Sequence, residues 1–228
     1  MKIFFKKNFN LKKIYHTPNK DRGMTLVELI VVLAIFMIVA GLTIFDYGRF
    51  RSSVSLQNLG DDIALSIRRA QNYAIGVHSS QTAIFSYGYG IHFSTATPNP
   101  LDIRAGSKKS FIIFNDLNSN KVYDYATSGS TLCTTGIVVQ ADDECVDMLN
   151  ITSSDIVYQI CPNGANCSTS SYADITFLRP NPDAYICTGS IGDVCSSQLS
   201  SVDIIIKNDQ SGDTKTISVS SVGQISVN

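Results

Sequence analysis

Gly23, Met24 and Glu28 are the residues of this sequence whose types and spacing could do chemistry together. They stand where a basic stretch gives way to an apolar one, with no charged residue between Leu29 and Phe45. Hydrolysis of the Gly23–Met24 peptide bond would free an α-amine on Met24 and make Glu28 the fifth residue of the shortened chain. Amine and carboxylate would then lie about one helical turn apart, or meet between neighbouring copies. A lone carboxylate on an apolar helix costs roughly 2.5–3.5 kcal/mol on insertion scales, so it calls for a cation or for a place at headgroup level.

Two further groups could do chemistry. Cys133, Cys145, Cys161, Cys167, Cys187 and Cys195 are the six cysteines, an even number that fits export to an oxidising compartment. Six cysteines allow 15 pairings. Short loops favour the sequential scheme Cys133–Cys145, Cys161–Cys167 and Cys187–Cys195. No Cys-x-x-Cys occurs and no histidine follows His92, so the cysteines read as structural bridges rather than metal ligands. Asp116, Asn118, Asn120 and Asp124 place oxygen side chains at alternate positions, like the opening of a calcium loop. Lys121 stands where such a loop has glycine and no glutamate follows at the twelfth position, so a hairpin turn is the favoured reading. Asp142, Asp143, Glu144 and Asp147 read as a solvated acidic loop. No phosphate-binding or nucleophile motif is present, and no cofactor is implied.

These residues need elements to position them. The run from Met24 to about Phe45 is close to the roughly 20 apolar residues that cross a bilayer. Beyond it, Leu56, Leu59, Ile63, Ile67, Ala70 and Ala74 recur at spacings of three and four, with charged residues between them. That is one apolar stripe on an amphipathic helix. The spacing predicts a single helix from Met24 to about Ile75, about 78 Å long, stopped near Gly76. A break near Asp46-Tyr47-Gly48 is the alternative. Strand-like runs follow at 80–87, 91–94, 111–114, 137–139, 156–160 and 175–178. The tail reads as a three-stranded antiparallel meander over 202–207, 214–219 and 225–227. The Ser-, Thr- and Cys-rich stretch between Gly129 and Ser200 suits disulfide-tied surface loops. The expected fold class is α+β: a long N-terminal helix, transmembrane then amphipathic, packed on an antiparallel β-rich domain. The divisions are a leader over 1–23, a helix over 24–76 and a globular domain over 77–228.

Gly23-Met24-Thr25-Leu26-Val27-Glu28-Leu29-Ile30, with the aliphatic run after it, resembles the class III signal of type IV pilins and type II secretion pseudopilins. Met24 stands where that family usually has Phe. The resemblance implies cleavage after Gly23 and N-methylation of Met24 by a prepilin peptidase. It also implies that Glu28 neutralises the N-terminus of a neighbouring subunit as the helix enters a filament. Phe177-Leu178-Arg179-Pro180, the strands around Thr216–Ile225, and Arg68-Arg69-Ala70-Gln71-Asn72-Tyr73-Ala74 resemble the FimT/FimU–GspH group more narrowly. The implied partners are the peptidase, other pilin or pseudopilin subunits, an inner-membrane assembly platform and membrane lipid.

Charge separates the function classes. Lys2, Lys6, Lys7, Lys12, Lys13, Lys20 and Arg22 face only Asp21 in the leader. The rest of the chain keeps 11 basic and 18 acidic residues, a charge of −7. A basic leader before an apolar run holds the leader in the cytoplasm and sends the C-terminal part across. A conventional signal peptide fits less well, because the apolar run is longer and follows the proposed cut. The acidic remainder argues against non-specific nucleic-acid binding. Gly223-Gln224-Ile225-Ser226 also departs from the Gly-Arg-x-Arg tail of the DNA-binding members. The reading is a bacterial minor pilin of the inner membrane and pilus, not an enzyme. Alternatives are a GspH-like pseudopilin in protein export and a DNA- or surface-binding tip module.

Overall fold

The structure, a computed structural model, describes residues 23–76, 88–99, 105–124, 144–165, 167, 172–178, 180–189, 195 and 197–228. The strands expected at 80–87 and 137–139, Cys133, Arg179 and the leader before Gly23 lie outside these residues. Two compact units are present, Met1–Phe45 and Asp46–Asn228.

Helix α1 runs without a break over Leu26–Ile75, through the Asp46-Tyr47-Gly48 stretch. In the first unit it carries an apolar segment, Leu26–Thr43, long enough to cross a membrane and buried nowhere. The hydroxyl of Thr43, the one polar side chain near its end, donates back to the Ala40 carbonyl at 2.9 Å. In the second unit α1 changes character. Leu56, Leu59, Ile63, Ile67, Ala70 and Ala74 are all buried, while Asp61, Asp62 and Arg68 face outward. The helix ends where the Gly76 amide donates to the Asn72 carbonyl at 2.8 Å.

Among the described residues, nine strands form two antiparallel sheets. The first has the order β3 (Cys145–Asn150), β2 (Ser110–Asp116), β1 (Gly88–Ser94), β5 (Tyr172–Phe177), β6 (Ala184–Gly189). The second has the order β4 (Asp155–Pro162), β7 (Ser201–Asn208), β8 (Thr214–Ser220), β9 (Ile225–Val227). The expected tail meander is β7–β8–β9, and β4 pairs on its free side. Strands β3 and β6 fall in the Ser-, Thr- and Cys-rich stretch expected to form disulfide-tied loops. They are short, carry cysteines and sit among Ser- and Thr-rich turns, so pairing with β2 and β5 makes them strands rather than their own pattern.

One core joins both sheets to the second half of α1. It takes Ile91, Phe93, Phe111, Ile113, Ile175, Phe177 and Ile186 from the first sheet. From the second it takes Val157, Ile160, Val202, Ile204, Ile206, Ile217 and Val219. β7 alternates half-buried and buried residues, as a strand with one face on a core must. β1 and β2 are buried throughout, because Ile112, Phe114 and Tyr123 form a second small cluster on their other face. Gly60 lets the helix approach β9: a Cβ there would lie 3.2 Å from Val227 Cγ1.

A polar knot fastens α1 to this core. The Asp155 carboxylate, wholly buried, accepts hydrogen bonds from Ser55 Oγ of α1, Ser153 Oγ and Asn208 Nδ2, each at 2.6 Å. Lys109 Nζ donates to the Ser153 and Asp155 carbonyls at 2.7 and 2.8 Å, and the Val157 amide donates to the Lys108 carbonyl at 2.9 Å. The turn before β2 is thereby tied to the start of β4. A buried carboxylate is tolerated only when its lone pairs are met. Asp155→Ala leaves Ser55, Ser153 and Asn208 without their acceptor and is expected to cost about 2–3 kcal/mol, against about 1 kcal/mol for Ser55→Ala. Urea unfolding of the mature chain in detergent, followed by near-ultraviolet circular dichroism, measures both.

Candidate functional site

Gly23, Met24 and Thr25 precede α1 outside regular secondary structure, and all three are exposed. Thr25 caps the helix: its Oγ1 accepts the Glu28 amide at 3.3 Å and its carbonyl accepts the Leu29 amide at 3.1 Å. The Thr-x-x-Glu order places Glu28 in the first turn, where the helix dipole favours a carboxylate. The structure therefore brings Gly23, Met24 and Glu28 together at one exposed helix end. Among the described residues Glu28 has no ion-pair partner, and the salt bridges are Arg69–Asp147 and His92–Asp174. Chemically, this end offers a peptide bond open to hydrolysis and an unneutralised carboxylate one turn beyond it.

Asp116, Asn118, Asn120 and Asp124 also come together, in the loop after β2. Asp116 accepts the Asn120 and Lys121 amides at 3.0 and 3.1 Å. Asp124 Oδ2 accepts the side-chain amides of Asn118 and Asn120 at 2.7 and 2.6 Å. Asn118 Oδ1 and Asn120 Oδ1 accept the amides of Asn120 and Val122 at 3.0 and 2.9 Å. These are the bonds of a tight turn in which Ser119 and Lys121 take positive φ. No group of three or more His, Cys, Asp or Glu is placed to hold a metal among the described residues.

Glu144 corrects the reading of 142–147 as a solvated acidic loop; Asp142 and Asp143 lie outside the described residues. Glu144 is only 3% exposed. Its Oε1 accepts the Leu117 amide at 2.8 Å and its Oε2 the Asp124 amide at 2.9 Å, clamping both ends of the loop. Burial pushes the Glu144 carboxyl up to about 8, the two amides oppose this, and the charges of Asp116 and Asp124 add to it. Burial raises Asp116 as well, against three backbone amides. Asp147 is not free either. It accepts Arg69 Nη1 at 2.9 Å, and Arg69 Nε donates to Tyr73 Oη at 2.7 Å. The Tyr73 hydroxyl and then Asp147 hold the guanidinium above its usual value. Arg69 is thus a partly exposed strut from α1 to β3.

Sequence reasoning also missed a buried pair. His92 Nδ1 lies 2.6 Å from Asp174 Oδ1, between the rings of Tyr123 and Tyr172 at 5.0 and 5.9 Å. Among the described residues, His92 Nε2 and Asp174 Oδ2 are buried without hydrogen-bond partners. The residues sit directly opposite each other on β1 and β5, a register no single-strand pattern reveals. Among the cysteines, Cys161 is joined to Cys167 and Cys187 to Cys195. Cys145 is disulfide-bonded, and its expected partner Cys133 lies outside the described residues.

The family model described as "Prokaryotic N-terminal methylation motif" matches residues 18–44. That span holds the end of the basic stretch, the Gly23–Met24 junction, Glu28 and the apolar turns of α1. The match supports a type IV pilin-like precursor, processed by a prepilin peptidase and assembled with other pilin subunits. No curated protein and no solved structure matches the chain.

The Glu144 clamp has a pH signature. Its carboxyl binds a proton more tightly folded, near 8, than at its ordinary value of 4.5. Its contribution to stability is fully present below 4.5 and is lost as pH rises through about 8. The unfolding free energy of the mature chain, and with it the melting temperature, is expected to fall across this window, the former by no more than about 1.4 kcal/mol per pH unit. Glu144→Gln removes the Glu144 share of the slope, leaving that of Asp116, while keeping the shape of the side chain; calorimetry at a series of pH values reads both.

Proposed function

We propose that this chain is a minor pilin of the FimT/FimU–GspH type, an assembly subunit of a type IV pilus. One observation carries the reading. A single carboxylate, Glu28, stands in the first turn of an exposed apolar helix, inside a matched methylation motif and five residues beyond Gly23. In a bilayer that carboxylate is costly alone. A prepilin peptidase cutting after Gly23 supplies the missing cation, the α-amine of Met24, which is then N-methylated. Glu28 pairs with the amine of the neighbouring subunit as α1 leaves the membrane. Packing among helices replaces lipid around Leu26–Thr43.

The basic leader stays cytoplasmic, so the unit Asp46–Asn228 faces the periplasm until it joins a filament near its tip. There the minor subunit primes assembly or presents a surface. Cysteine pairing suits that compartment: Cys161–Cys167 and Cys187–Cys195 tie loops beside β4 and β6.

A clean deletion of the gene, complemented with the natural chain or with Glu28→Ala, tests the reading. The expected result is sparse or absent pili with a normal secreted-protein profile, restored by the natural chain and not by Glu28→Ala. Mass spectrometry of the assembled subunit is expected to find an N-terminal peptide beginning at N-methylated Met24. Normal pili with exoproteins held in the periplasm would move the chain to a type II secretion pseudopilus. Loss of DNA uptake or adhesion alone would make it a tip binding module.

A further inference from the structure

Past the apolar segment Leu26–Thr43, helix α1 carries a second apolar surface. Tyr47, Phe50 and Val54 recur at spacings of three and four, and are 66%, 68% and 40% exposed. Three and four residues apart on a helix means one face. At about 100° per residue, this face points nearly opposite to the stripe of Leu56, Leu59, Ile63 and Ile67 that packs on the core. The core therefore cannot cover it. Further along, the outward face changes character. Asn58, Asp61, Asp62 and Arg68 are exposed there, with Leu65 the apolar exception. The outward side of α1 thus turns polar only after Val54, about three turns beyond Thr43.

Arg51 lies on the same face, exposed and without an ion pair among the described residues. Over residues 46–54 the sequence sets two basic residues, Arg49 and Arg51, against one acidic residue, Asp46. This stretch is positive in a chain that is acidic overall beyond its leader. Length agrees with composition. Leu26–Thr43 rises about 27 Å, slightly short of a hydrocarbon core of about 30 Å. The headgroup layer adds about 5–7 Å on each side. Along α1, Tyr47 follows Thr43 by about 6 Å and Phe50 by about 10 Å. Helical side chains lean toward the N-terminus, which here is back toward the apolar segment.

We infer that Tyr47 and Phe50 lie in the phospholipid headgroup layer on the periplasmic side, with the Arg51 guanidinium on a lipid phosphate. The inference rests on the proposed orientation of the chain and adds a lipid contact outside the membrane-spanning segment. Aromatic rings are enriched at that depth, where one edge meets acyl chain and the other meets water. A guanidinium matches a phosphate through paired N–H groups. An anionic phospholipid holds Arg51 more tightly than a zwitterionic one, whose own ammonium already offsets the phosphate. The contact sets how far α1 stands out of the bilayer. Withdrawal of the helix then breaks these headgroup contacts as well as the lipid packing around Leu26–Thr43.

The natural chain has no tryptophan, so one introduced tryptophan reports one position. The test places Phe50→Trp, Leu33→Trp or Val222→Trp in the full chain, reconstituted in vesicles of phosphatidylcholine with phosphatidylglycerol. All three side chains are exposed. Lipid brominated close to the headgroup is expected to quench Phe50→Trp at least about twofold, and more than lipid brominated near the chain end. Leu33→Trp shows the reverse order, and Val222→Trp is not quenched. Adding Arg51→Gln to Phe50→Trp is expected to lower its quenching about twofold, while Arg51→Lys keeps most of it. An unchanged near-ultraviolet circular dichroism spectrum shows that the fold is intact. Phe50→Trp quenched no more than Val222→Trp overturns the inference, and blue-shifted emission without quenching assigns the face to a protein partner instead. Quenching indifferent to Arg51→Gln overturns the phosphate contact. Should Leu33→Trp be quenched and Phe50→Trp not, the headgroup assignment alone falls. Should neither be quenched, the membrane reading beneath it falls.

Discussion

The buried carboxylate of Asp155 is the point on which the rest of the second unit depends. Three donors converge on it from α1, from the turn before β4 and from the end of β7. A buried carboxylate is tolerated only with such donors, so helix, turn and strand each contribute to its burial. Lys109 extends the knot to the first sheet through the carbonyls of Ser153 and Asp155. The hydrophobic stripe of α1 supplies most of the driving force for packing. Apolar contact alone leaves a helix free to slide or turn. The knot at one end and the Arg69–Asp147 strut at the other give it one position.

α1 is one secondary structure serving two solvents. The backbone hydrogen bonds of Leu26–Ile75 are satisfied internally, which is what lets the same helix continue from an apolar surrounding into a water-facing domain. Only the side chains change: aliphatic on every side through Thr43, then aliphatic along a single stripe from Leu56. Two roles follow for its acids. Glu28, on the apolar segment, is costly without a cation. Asp61 and Asp62, in the second solvent, are hydrated and act only where another surface covers them.

The loop between β2 and β3 shows a different economy of charge. Asp116, Asp124 and Glu144 hold it by accepting amides, with no guanidinium or ammonium bonded to them among the described residues. Burial raises the Glu144 carboxyl furthest, and the charges of Asp116 and Asp124 add to it. His92 and Asp174 are partnered differently, by facing each other across β1 and β5.

Much of this protein is written in local periodicity. The continuous apolar run, the Gly–Met junction and Glu28 fall within three dozen neighbouring residues and need no fold to be seen. The stripe from Leu56 to Ala74 is a helix repeat, and every residue named for it is buried. The tail strands alternate plainly, so β7, β8 and β9 were legible too. Tertiary structure alone decided the rest. β3 and β6 are strands because β2 and β5 pair with them. Glu144 is buried because a turn twenty residues earlier returns its amides to it. Asp155 finds its helix partner a hundred residues away. Short-range order follows from the repeat of a single element, which a sequence displays. Charge burial and strand pairing are properties of two elements at once, and only the folded chain brings those elements together.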